Sequence, residues 1–141
     1  MAENSVVKDQ LTDAMVDAGE ALTRKLDELG LPTNAAFWFF MPESNEWRLL
    51  FASAEVSAKG SRAVYKRIHQ AIEQLGPKAS ATPLSVVGVL DADDDLVRLL
   101  VGVVSTPGIS RIRFAKNGIN GHFIDDALIY RMTSPGHQPG P

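Results

Sequence analysis

The chain has 141 residues, 45% of them hydrophobic and 22% charged, with a formal net charge of -3 and no cysteine. That length suits a single domain around one core, and the balance of apolar and charged residues excludes wholesale disorder, a fibrous repeat and a coiled coil. Lack of cysteine removes disulfides, thiol nucleophiles and thiolate metal sites, and the slight acidity leaves no global positive field to attract nucleic acid or an anionic membrane.

The first residues, Met1-Ala2-Glu3-Asn4, have neither the basic nor the apolar region of a secretory leader, and no apolar run nears the roughly 18 residues of a membrane span. A cytoplasmic protein with no membrane partner is the expectation. Over residues 7–29, Val7, Leu11, Met15, Ala18, Leu22, Leu26 and Leu29 recur at the spacing of one helix face, with Asn4 or Ser5 as a cap and Gly30 and Pro32 as the stop. The aromatic run over residues 35–41 and the strand-like run over residues 47–53 flank a turn and predict an antiparallel hairpin. A second helix is expected over residues 58–75, capped by Ser57 and ended by Gly76-Pro77. A third strand follows over residues 84–90.

Asp91, Asp93 and Asp95 occupy the first, third and fifth places of a calcium loop, but Leu96 stands where the sharp-turn glycine belongs and Gly102 where the bidentate glutamate belongs. The carboxylates therefore predict the start of a third helix, over residues 96–104, and no metal site. Two more strands are expected over residues 109–116 and 122–132, around the loop Asn117-Gly118-Ile119-Asn120-Gly121. Residues 133–141, rich in proline and glycine, predict a disordered tail. The expected fold class is α+β, one domain over residues 1–132, in the order α-β-β-α-β-α-β-β, with a mixed sheet of about five strands and packed helices.

Two regions stand out as candidate sites. The strand Phe37-Trp38-Phe39-Phe40 is apolar on both faces, and the third helix is apolar almost all round, which predicts an interface and most simply a homodimer. In the last hairpin, a five-residue loop would set Arg113 opposite Asp125, gather Arg111, Arg113, Asp125 and Arg131 on one side, and turn Asp126 toward the apolar side with Ile124, Leu128 and Tyr130. A β-bulge at Asp125-Asp126 would accompany those pairs. His122 at the loop edge could act as an acid or base, or hold a phosphate with the arginines. An acidic stripe, Asp9, Asp13, Asp17 and Glu20, and a basic one, Lys59, Arg62 and Lys66, would either meet or stay solvated.

The chain holds no P-loop, GxGxxG, GxSxG or HExxH, so neither a cofactor nor a catalytic residue is expected. The leading expectation is a non-enzymatic binding or regulatory module that engages a protein partner or a small anionic ligand through Arg111, Arg113, His122, Asp125 and Asp126 or through the aromatic strand. The alternative is a small hydrolase or phosphate-processing enzyme centred on His122, Asp125, Asp126 and Arg113.

Overall fold

The computed structural model describes residues 7–135. In chain order it contains α1 (Asp13–Glu28), β1 (Ala35–Met41), β2 (Glu46–Ser53), α2 (Glu55–Lys59), α3 (Ser61–Leu75), β3 (Val87–Asp91), α4 (Asp95–Val101), β4 (Ile112–Ile119) and β5 (His122–Met132). The fold is the expected single-sheet α+β arrangement, a five-stranded mixed sheet in the order β3-β2-β1-β5-β4. The hairpin β1–β2 and the β1–β5 and β4–β5 pairs are antiparallel, whereas β2 and β3 run parallel. A parallel neighbour needs a crossover, which α2 and α3 supply.

The central position of β1 accounts for its two apolar faces. Ala36, Trp38 and Phe40 point into the cluster under α1 and α3, and Ala35, Phe37 and Phe39 point to the side of α4. On the first side, Ala18, Leu22 and Leu26 of α1 and Val64, Ile68 and Ala71 of α3 repeat at helical spacing and close the core. Among the described residues the other side is covered by one helix, the seven-residue α4, which buries Val97 and Leu100 against the sheet.

Local boundaries differ from expectation: β3 starts at Val87 and not at residue 84, α4 stops at Val101 and not at residue 104, β4 spans Ile112–Ile119 and not residues 109–116, and three further differences bear on the fold. Helix α1 begins at Asp13, capped by the Thr12 hydroxyl, which accepts from Met15 N–H at 3.1 Å; Val7 and Leu11 precede the helix, and the expected caps Asn4 and Ser5 lie outside the described residues. The second helix is broken at Gly60, whose φ of 89° turns the chain between α2 and α3. The last hairpin turns tightly: Ile119 pairs with His122, and Asn120 and Gly121, with φ of 49° and 82°, form a two-residue turn in place of the five-residue loop. The expected disordered tail falls mostly outside the described residues; Thr133, its first residue, hydrogen-bonds through N–H and Oγ1 to the Asn34 carbonyl.

Candidate functional site

The tight turn moves the whole register of the last hairpin. Arg113 stands opposite Leu128 and Ala115 opposite Asp126, so the expected Arg113–Asp125 pair does not form. Arg113 instead grips Asp126 with two prongs, Nε to Oδ1 and a terminal nitrogen to Oδ2, both at 2.6 Å. The ladder is interrupted between the pairs Ala115↔Asp126 and Asn117↔Ile124, where Lys116 adopts a φ of 52°. Each strand changes face there: Ile112 and Phe114 share the α4 side with Ile119, and Ile124 shares it with Ala127 and Ile129. Asp126 keeps the company of Leu128 and Tyr130 on the α1 side, as expected, whereas Ile124 lies on the opposite face.

Because alternation fails at this point, the neighbours Asp125 and Asp126 reach the same ammonium. Lys8 Nζ lies 2.9 Å from Asp125 and 2.8 Å from Asp126, and also sits 4.6 Å from the centroid of the Phe40 ring and 5.6 Å from that of Trp47. Burial alone would raise the pKa of Asp126, but hydrogen bonds from Arg113 and Lys8 outweigh it and hold the carboxyl below its ordinary range. Lys8 mirrors this: burial works to lower its pKa, and the hydrogen bonds to Asp126 and Asp125 raise it overall.

Arg111 and Arg131 are also paired. Arg111 binds Glu20 at 2.7 Å and Asp17 at 3.0 Å, and Arg131 binds Asp27 at 2.7 Å. Thus Asp17 and Glu20 of the acidic stripe meet Arg111, just before β4, and not the basic stripe of the second helix, in which Lys59 pairs with Glu55 one turn before it. The pair with Arg111, opposed by burial, lowers the pKa of Glu20. His69 faces Glu73 at 3.3 Å on the exposed side of α3, and His137 lies outside the described residues.

His122 is not part of this cluster. It edges a cleft of about 360 Å³ on the α4 side, lined by Phe39, Leu96, Leu99, Phe123 and Ile124, with Asp95 also at the rim. The sheet thus separates His122 from Arg111, Arg113, Asp125 and Asp126. Of the aromatic residues in β1, Phe37, Trp38 and Phe40 are interior and Phe39 is half-buried at the floor of the cleft. Phe123, at the hairpin tip, is 66% exposed. Sequence reasoning did not single out Phe123, Leu96 or Leu99 as a group; the signal available was the pair of apolar residues that follow His122.

Among the described residues no group of three or more His, Asp or Glu side chains is placed to hold a metal ion. Asp94 caps α4 by accepting from Leu96 N–H at 3.0 Å, and Asp91 accepts from the Ser57 hydroxyl. No helix among the described residues is long and apolar enough to cross a membrane. No protein-family model matches the chain, and neither a curated protein nor a solved structure is detectably similar to it.

Proposed function

We propose that this chain is a non-enzymatic binding module whose partner is a protein surface, a second copy of itself, docked over the open half of the sheet on the α4 side. The observation that carries this reading is the apolar cleft of Phe39, Leu96 and Leu99, lined also by Phe123, a residue 66% exposed at the hairpin tip. A knob adjacent to a hole of the same character is self-complementary, which is what a two-fold interface requires, and large exposed aromatics are the anchors of such interfaces. The uneven cover of the sheet supplies the reason: two helices of 16 and 15 residues close one face, and one helix of seven residues leaves the other partly open.

The paired arginines weigh against a small anion and against phosphate chemistry. The fork of Arg113 is filled by Asp126 and that of Arg111 by Asp17 and Glu20, so an anion would have to displace a carboxylate already in bidentate geometry. Light scattering coupled to gel filtration at micromolar concentration tests the proposal. The expected mass is twice that of the chain, falling to one chain in Phe123→Glu with an unchanged circular dichroism spectrum. A monomeric wild-type chain would overturn it.

A further inference from the structure

Residues 7–12 run without helix or strand before α1, and the contacts of residues 7–9 have the character of a bound peptide. Asn45, held at a φ of 54° in the β1–β2 turn, reads the backbone on both sides of Lys8: its Oδ1 accepts from Asp9 N–H at 2.9 Å, and its Nδ2 donates to the Val7 carbonyl at 3.0 Å. The Trp47 indole donates to the Asp9 carbonyl at 2.8 Å. Between these backbone contacts the Lys8 side chain enters a cage of two carboxylates and two aromatic rings, Asp125, Asp126, Phe40 and Trp47. Main-chain hydrogen bonds that fix an extended segment, with a pocket for one side chain, are the two elements of peptide recognition.

The buried carboxylate of the receptor half is held independently of its occupant. Asp126 is 5% exposed and is fixed by the two prongs of Arg113, so this buried wall of the cage keeps its shape when the ammonium leaves. The occupant is lightly held: Val7 is 83% exposed and Lys8 keeps part of its side chain in solvent. Segments with few buried apolar contacts and exposed hydrogen bonds open at low free-energy cost.

We propose that this surface is a receptor for an extended, lysine-bearing peptide segment, occupied in this state by residues 7–9, which act as a cis competitor of a partner segment. The central lysine is the specificity determinant, since a carboxylate pair backed by aromatic faces selects an alkylammonium. This site lies on the opposite face of the sheet from the Phe123 cleft, so the two readings stand or fall separately.

The test uses the full chain, its Lys8→Ala variant and an acetylated, amidated Ser-Val-Val-Lys-Asp-Gln peptide, followed by calorimetry and Trp47 emission. Self-occupancy lowers the apparent affinity of the wild-type chain by the fraction of time the site is free, so Lys8→Ala should bind the peptide about tenfold tighter or more. The same peptide with alanine in place of its lysine should not bind, and adding Asp125→Asn to Lys8→Ala should weaken binding of the lysine peptide about tenfold. Lys8→Gln gives a second vacated cage should Lys8→Ala fold poorly. Absence of saturable binding in both variants, equal binding of the two peptides, or equal affinity in wild type and Lys8→Ala would overturn the proposal.

Discussion

The Trp38 indole donates its N–H to the phenolic oxygen of Tyr130 at 3.0 Å, and that hydroxyl donates onward to the Val16 carbonyl in α1. Tyr130 is the extra residue of a bulge, because Ala36 pairs with Arg131 and Phe37 with Ile129. The bulge carries the phenol up against the helix, where a Cβ on Gly19 would collide with it and with the indole nitrogen. Gly19→Ala gains about 1 kcal/mol of helix preference, yet overpacking costs roughly 1–3 kcal/mol, so net destabilisation is expected in urea melts. Tyr130→Phe strands the buried indole N–H and should cost about 1–3 kcal/mol.

Arg113→Ala leaves the buried Asp126 carboxylate with Lys8 as its one remaining charged partner. A loss of about 1–3 kcal/mol is expected, more than the 0.2–1 kcal/mol typical of an exposed pair. Denaturant midpoints of Arg113→Ala and of the control Arg24→Ala, whose pair with Glu20 is exposed, decide the order.

The lowered pKa of Asp126 also sets a direction for acid stability. A carboxyl whose folded pKa lies below its unfolded value contributes stability that is present above the unfolded value, about 3.9, and is lost as pH falls through the folded one. Asp126→Asn should therefore be less stable than wild type at neutral pH, with the gap narrowing from about pH 5 down through about pH 3. A gap of constant size across that range would remove Asp126 as the source.

Asp94→Ala should lower stability by about 0.5–2 kcal/mol through loss of the cap on α4. Calcium added to the wild-type chain should give no saturable heat, because Asp91 and Asp94 are engaged with Ser57 and Leu96. Micromolar calcium binding abolished by Asp93→Ala would reverse that expectation.

His122→Ala should leave the melting temperature within experimental error, since His122 is exposed at the hairpin end and forms its strand pair through the backbone. Its substitution is thus a clean probe of the cleft. A change in oligomer mass without a change in stability would locate His122 at the interface.

Much of this architecture was legible in residue patterns. The bounds of β5, the hairpin of β1 and β2 and the aspartate cap of α4 follow from alternation and turn chemistry acting over a few residues. The hairpin register was not legible, because Asn117-Gly118 and Asn120-Gly121 are equally good turn signals and only the second is used. Lys116 adds to this: nothing in a lysine advertises a positive φ, yet its conformation reverses the alternation on which face assignments depend. The Lys8 cage joins residues 117 and 118 positions apart, and helical periodicity drew Val7 and Leu11 into α1, whereas tertiary hydrogen bonds from Asn45 and Trp47 to Val7 and Asp9 hold the chain outside the helix there.

The placement of β1 next to β5 has a consequence for how the protein is made. Trp38 and Tyr130 are 92 positions apart, and at synthesis rates of about 5–20 residues per second the ribosome needs on the order of ten seconds to travel between them. For that interval the nascent β1–β2 hairpin, apolar on both faces, keeps an unpaired edge open to any neighbouring strand. Contacts this distant in sequence also close slowly once the chain is complete. The final strand therefore governs the yield of folded protein, and a nascent chain halted before residue 122 would present Phe37, Trp38, Phe39 and Phe40 to chaperones or to aggregation.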